Sequence, residues 1–326
     1  MVEKSYLVTG GSGFLGAALA RRLVEMGHRV RVLDNDWRGS RERLSDLVYD
    51  LEFVEADIRD ARAVDDAVKE VDTVVHMAFV NGTAFFYEQP DLVLDVGVKG
   101  IVNVIDACRR HDVGNLAVAS SSEVYNEPWK VPTDEAVPLT IPDPLNPRYS
   151  YSAGKLISEI MALNSGRAHF DRVVVFRPHN VYGPDMGWHH VIPEFVTRAS
   201  RLVETQPEGK IEFQIQGDGR ESRAFVHVED FTDGLVRVIE KGEHLQIYHI
   251  GNDEETRIDE LVRHVFAYFG RDYKIVPGKR AAGSPTRRCP DIGKLRKLGF
   301  APGIPLKNGI KGVIDWYCKY QQANEA

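Results

Sequence analysis

A short apolar run, residues 6–9, ends in Gly10-Gly11-Ser12-Gly13-Phe14-Leu15-Gly16, and a helix-periodic stretch follows at once. Leu15, Leu19 and Leu23 recur every four residues, so residues 14–26 read as a helix with one apolar face. The unit repeats. Residues 30–33, 52–55, 73–76, 116–119 and 172–176 are further short apolar runs, and 65–71, 92–111 and 149–165 read as helices. In the second of these, Val96, Val104, Ile105 and Cys108 are expected to face mostly inward. Short apolar strands separated by helices pack as a parallel sheet covered on both faces. The expected fold is α/β, a Rossmann-type doubly wound parallel sheet running through about Arg177.

Beyond Arg177 the alternation loosens. Residues 179–223 mix glycine, proline, aromatic and charged residues. Strand character resumes at 224–228, a helix follows through Ile239, another begins at Ile258, and 279–290 is rich in basic residues, Gly and Pro. This reads as a smaller, discontinuous α/β substrate domain. The expected division is an NAD-binding domain of residues 1–178, with 224–250 returning to it, and a substrate domain of 179–223 and 251–326. Ligands are expected in the crevice at the carboxyl edge of the sheet.

The net charge of −7 argues against a nucleic-acid partner, which wants a basic face. No uninterrupted apolar stretch is long enough to span a bilayer, so no membrane association is expected. The first six residues lead straight into a strand, and no signal peptide is expected. The three cysteines are far apart and odd in number, which fits a reducing, cytoplasmic setting and no zinc site.

The glycine loop suits a dinucleotide. Gly10, Gly13 and Gly16 permit a tight turn and close approach of a pyrophosphate, and the helix beginning at Phe14 and Leu15 presents N–H groups and a positive dipole end. A plain strand-to-helix turn is the simpler reading of glycines alone. Asp34 strengthens the case, because it ends the second strand where a carboxylate accepts hydrogen bonds from ribose hydroxyls and repels a 2′-phosphate. NAD is therefore expected over NADP, although Arg38 and Arg41 nearby are potential 2′-phosphate partners. Asp57 and Ile58 follow the third strand and are placed beside the adenine. Ala78, after the fourth, leaves room for the cofactor.

Tyr151 and Lys155 stand four apart on one helix face. A free tyrosine titrates near about 10, too high for a base at neutral pH, and a neighbouring ammonium favours its phenolate. Such pairs are usually ordinary helix surface. Here Ser120-Ser121-Ser122-Glu123-Val124-Tyr125 follows the fifth strand, where a hydroxyl can share a substrate proton with Tyr151. Serines at a strand exit also serve merely as caps or turns.

Together with Arg177-Pro178-His179-Asn180-Val181-Tyr182-Gly183-Pro184, Gly217-Asp218-Gly219, Arg223-Ala224-Phe225-Val226-His227-Val228-Glu229-Asp230 and Gly251-Asn252, these motifs occur in the order seen in extended short-chain dehydrogenases. The sequence resembles the nucleotide-sugar epimerase/dehydratase family over nearly its whole length. The resemblance implies an NAD-dependent enzyme that oxidises a nucleotide-diphosphate sugar, usually at C4, to a 4-keto intermediate. By position it implies Ser121 as the catalytic hydroxyl, Tyr151 as base and Lys155 as the ribose-holding residue. Asn180 and Arg223 match positions that contact the nucleotide diphosphate, and His179 falls beside the nicotinamide end. A homodimer through helices 92–111 and 149–165 is likewise implied.

Among subfamilies, the sequence is most similar to UDP-glucuronate decarboxylases. Ser121-Ser122-Glu123-Val124-Tyr125, Pro147-Arg148 and Arg288-Cys289-Pro290-Asp291-Ile292 carry that likeness. It implies that Arg288 lies near the sugar and that Glu123 takes part in the chemistry. Glu123 also has a plainer reading as a hydrogen-bond acceptor behind the site, and Arg288 as a nucleotide-phosphate contact. Ser122 stands where 4,6-dehydratases carry an aspartic acid, which weakens that reading. A 4-epimerase, or a dehydrogenase that releases its reduced cofactor, is the alternative, and a scaffold without chemistry would not need Ser121, Tyr151 and Lys155. Asn126 replaces the usual Gly after Tyr125, and Gly97 stands where many members have Asn. Met186-Gly187-Trp188-His189-His190 matches no subfamily motif. Its adjacent histidines suit a substrate or surface role better than one metal ion.

Overall fold

The computed structural model describes residues 2–188, 190–279 and 286–325. Its strands are β1 (Ser5–Thr9), β2 (Arg29–Asp34), β3 (Leu51–Glu55), β4 (Thr73–His76), β5 (Asn115–Ala119), β6 (Arg172–Pro178), β7 (Val181–Tyr182), β8 (Ile211–Gln216), β9 (Ser222–Ala224), β10 (Val226–His227), β11 (Gln246–Ile250), β12 (Glu255–Arg257), β13 (Tyr273–Gly278) and β14 (Arg287–Arg288). The helices are α1 (Phe14–Glu25), α2 (Ala61–Val68), α3 (Thr83–Glu88), α4 (Pro90–Arg110), α5 (Ser150–His169), α6 (Val191–Thr205), α7 (Val228–Lys241), α8 (Ile258–Phe269), α9 (Gly293–Arg296) and α10 (Leu306–Glu325).

Seven strands form one sheet in the order β11-β6-β5-β4-β1-β2-β3. Every neighbouring pair in it is parallel. The expected doubly wound α/β fold is therefore what the chain forms. Alternation along the strands feeds two cores. Tyr6 and Val8 pack with Leu19 and Leu23 of α1 and Phe231 and Leu235 of α7 on one face. Leu7 packs on the other with Val64 of α2, Ile101 and Val104 of α4 and Ala162 of α5. Truncating a fully buried leucine such as Leu19 to alanine is expected to cost about 2–5 kcal/mol. The chain reverses direction across the sheet between β1 and β4, and the crevice at that switch point is where such folds bind ligands.

A third core joins α6, α8 and α10 to β8 and β13, with Phe195, Phe213, Phe266 and Ile310 buried in it. Here the structure is more regular than the sequence suggested, because residues 179–223 contain α6 and β8. Ile192, Phe195, Val196 and Ala199 supply the buried helical face, and Pro193 sits in the first turn, where it is tolerated. Two other boundaries differ. The helix expected at 65–71 runs over Ala61–Val68, because the Asp60 carboxylate accepts the Arg62 and Ala63 N–H groups at 2.9 and 3.1 Å and starts it early. The run 224–228 is not one strand. Ala224 closes β9, which pairs with β12 and β14, whereas Val226 and His227 pair with β7. Between them the Phe225 carbonyl accepts Asn252 Nδ2 at 3.2 Å. No helix among the described residues is long and apolar enough to cross a membrane.

Candidate active site

The carboxyl ends of the central strands open into one cavity of about 530 Å³. One end is shaped by the glycine loop. A Cβ at Gly10 (φ +71°) would meet Ala78 N at 2.7 Å, and one at Gly16 would meet the Gly10 carbonyl oxygen at 2.1 Å. Gly13 precedes α1 with extended backbone and no side-chain cap. The α1 N-terminus therefore faces the cavity bare, and Gly10, Gly13, Phe14, Leu15 and Gly16 all line it. This is a cradle for an anion, and it fits a dinucleotide pyrophosphate.

Asp34, Asp57, Ile58 and Ala78 also line the cavity. The Asp34 carboxylate accepts the Ser12 and Asp36 N–H groups, each at 3.0 Å, and ties the loop to β2. Hydrogen bonding to Arg59 holds the Asp57 carboxyl below the usual range. The two arginines weighed as 2′-phosphate partners part company. Arg41 pairs with Glu55 at 3.2 Å and lies over the Phe53 ring, off the cavity wall. Arg38 lines the cavity, with its guanidinium 4.9 Å from the Phe85 ring centre. Arg43, which the sequence did not single out, bridges the Ser12 carbonyl and Asp185.

Ser121, Tyr151 and Lys155 all line the same cavity. Tyr151 lies in the first turn of α5 and Lys155 one turn later, both buried. Lys155 Nζ donates to the Ala119 carbonyl at 2.7 Å. Burial pushes the Lys155 amine down to about 7, against the opposing charge of Glu159. Burial pushes the Tyr151 phenol up, while a hydrogen bond from Ser121 lowers it and the Glu123 charge raises it. Ser121 also plays the plain role considered for it, since its Oγ accepts the Glu123 N–H at 3.2 Å. The Tyr151 ring stacks on Phe86, centroids 4.8 Å apart.

At the other end, Glu123 and Arg288 form a direct ion pair facing the cavity. Arg148 stands 3.9 Å from the same carboxylate. Burial raises the Glu123 carboxyl, but Arg288, followed by Arg148 and Arg223, pulls it below the usual range. Asn180 lines the cavity in a left-handed conformation (φ +41°) that asparagine tolerates, and its Nδ2 donates to the Ala224 carbonyl at 3.2 Å. Two expected site residues do not themselves line the cavity. Arg223 is on β9, donating to its neighbour's carbonyl at 2.7 Å, and does not line the cavity. His179 is 1% exposed and packs against His249, ring centroids 4.6 Å apart. His190 reaches the cavity wall, Trp188 packs against Tyr317 of α10, and His189 lies outside the described residues.

Behind the site runs a buried polar network that the sequence did not announce. Arg177 makes a two-pronged pair with Glu159, at 2.8 and 2.6 Å, and also touches the Tyr125 hydroxyl. That hydroxyl lies 2.6 Å from His249 Nε2. Glu159 follows Lys155 by four residues, as Lys155 follows Tyr151, so all three share one face of α5. That spacing was the available signal.

The family profile for the NAD dependent epimerase/dehydratase family matches residues 6–251. A putative UDP-glucose 4-epimerase of Methanocaldococcus jannaschii is 32% identical over 320 residues, spanning 95% of this chain and 97% of that protein. A UDP-glucuronic acid decarboxylase of Xenopus tropicalis is 29% identical, over 97% of this chain and 73% of that protein. A dTDP-glucose 4,6-dehydratase from Streptomyces venezuelae, solved with NAD bound, superposes with a TM-score of 0.84 at 28% identity, over 98% of each chain.

Proposed function

The chain belongs to the NAD dependent epimerase/dehydratase family, and from that premise we propose that it oxidises the sugar of a nucleotide-diphosphate sugar at C4, with UDP-glucuronate as substrate and decarboxylation as outcome. The enzyme is NAD-dependent, as its family is. NAD, when bound along the glycine cradle, is the hydride acceptor. Tyr151 takes the C4 hydroxyl proton, Ser121 shares that hydroxyl by hydrogen bond, and Lys155 supplies the positive charge that stabilises the phenolate. The resulting 4-ketone makes a C6 carboxylate β to it a leaving group. Proton return at C5 and reduction of the ketone then complete the cycle.

The observation that carries the subclass is the arginine pair at the sugar end. Arg288 and Arg148 flank the Glu123 carboxylate within sight of Tyr151. Two guanidiniums around one carboxylate leave positive charge for a second, that of the sugar. A 4-epimerase remains the second reading, because Arg288 is already paired with Glu123 and a neutral sugar does not strand it. The test is incubation with UDP-glucuronate and, separately, UDP-glucose, without added cofactor. Carbon dioxide and a pentose nucleotide from the first support decarboxylation. An epimer as sole product overturns the subclass, and accumulation of NADH identifies a net dehydrogenase.

We further place the diphosphate against Asn180 and Arg223, with residues 1–178 and 224–250 serving the cofactor and 179–223 and 251–326 serving the substrate. A homodimer through α4 and α5 gives a partner to the exposed Ile157 and Ile160 of α5. Three unpaired cysteines suit the cytoplasm.

A further inference from the structure

Two helix-interior glycines face the same aromatic ring. A Cβ at Gly97 of α4 would stand 2.3 Å from Phe79 Cζ, and one at Gly154 of α5 would stand 2.9 Å from that atom. Glycine is the poorest ordinary helix former, so two of them against one ring mark a place where the ring matters more than the helices. Phe79 follows β4 and lines the cavity. Lys155 Nζ lies over its face, 4.0 Å from the centroid, and its plane is set at 85° to the Tyr151 ring, centroids 5.2 Å apart. Gly97 is also where the chain departs from the asparagine common at that position.

We propose that Phe79 is a positioning residue for the Lys155–Tyr151 pair, seating the ammonium on its ring face in room that Gly97 and Gly154 leave open. The proposal rests on the reading of Tyr151 as the base. The buried ammonium has one carbonyl, that of Ala119, and this ring as its close partners. Glu159 adds opposite charge from the next turn of α5, and His76, buried at the end of β4, feels the Lys155 charge. Around the phenol stand Ser121, Glu123 and the stacked Phe86. A cation on an aromatic face is stabilised most where water is excluded. Removing that face favours the neutral amine. The phenol then has a neutral amine beside it at pH values where the wild type holds an ammonium.

The test uses full-length, NAD-loaded protein and needs no substrate. Lysine Cε signals are titrated by NMR in the wild type and in Lys155→Met, and the difference isolates Lys155. In Phe79→Leu, which keeps an apolar filler without a π face, the Lys155 transition, about 7 in the wild type, is expected to fall by about half to one pH unit. Gly97→Ala leaves the ring in the chain but displaces it, in a residue that favours the helix, and is expected to shift the transition in the same direction. A filler role alone would lower the rate at every pH and leave the transition in place, and an unmoved transition in both variants overturns the proposal. Failure of the substrate assignment would show instead as no turnover by the wild type, with the titration still readable.

Discussion

Replacing Glu159 with glutamine tests the frame that holds α5, the helix carrying Tyr151 and Lys155. Arg177 and Glu159 are 1% and 2% exposed, and the pair is two-pronged at 2.8 and 2.6 Å. Glutamine leaves the guanidinium one amide oxygen and the Tyr125 hydroxyl, both neutral, and Arg177 remains charged in the interior. Breaking a buried pair by removing one partner costs about 3–5 kcal/mol, chiefly the price of the stranded charge. Urea unfolding of wild type and Glu159→Gln measures the loss directly. The double variant Glu159→Leu with Arg177→Met removes both charges and is expected to recover at least half of it, by about 2 kcal/mol. A loss under about 1 kcal/mol, the level of an exposed pair, would refute the reasoning, as would a double variant less stable than the single one.

Three further outcomes follow from the site. NAD is expected to bind at least about tenfold more tightly than NADP, because the Asp34 carboxylate lines the cavity at the end of β2, where it would repel a 2′-phosphate. Equal affinities by calorimetry would instead assign a 2′-phosphate to Arg38. Arg223→Ala is expected to weaken uridine diphosphate binding by about 1.5–3 kcal/mol, and Arg288→Ala by less, since Arg288 pairs with Glu123 at the sugar end; the reverse order would move the diphosphate. Lys155→Met is expected to make the fold more stable near neutrality while abolishing turnover. The Lys155 amine titrates at about 7 when folded against an ordinary lysine value of 10.5, so between these values the unfolded chain binds the extra proton and stability rises with pH. Unfolding midpoints across that window should rise in the wild type and lose this component in Lys155→Met; parallel profiles would contradict it.

What the sequence made legible was local. The glycine loop announces itself because a strand entering a helix this tightly excludes side chains at Gly10 and Gly16. Tyr151 and Lys155 are readable from helical spacing, and Asp34 from its place at a strand end. What stayed hidden depends on tertiary contact. Arg148 and Glu123 are brought together across the β5–α5 connection, and Glu123 meets Arg288 from a distant part of the chain. Motif position placed His179 beside the site, while the fold buries its ring against His249. Two departures from the family pattern were visible in the sequence, and one of them, Gly97, acquired meaning only when Phe79 was seen to fill the space.

The central claim is that Tyr151 begins the reaction by taking a sugar hydroxyl proton. Tyr151→Phe removes one oxygen and keeps the ring stacked on Phe86, so fold and NAD binding should persist. The direct measurement is single-turnover formation of NADH on NAD-loaded enzyme after mixing with UDP-glucuronate. Loss of general-base assistance should slow that step by about 10²–10⁴-fold. Formation of NADH by Tyr151→Phe at the wild-type rate would contradict the assigned active site, whichever sugar the enzyme uses.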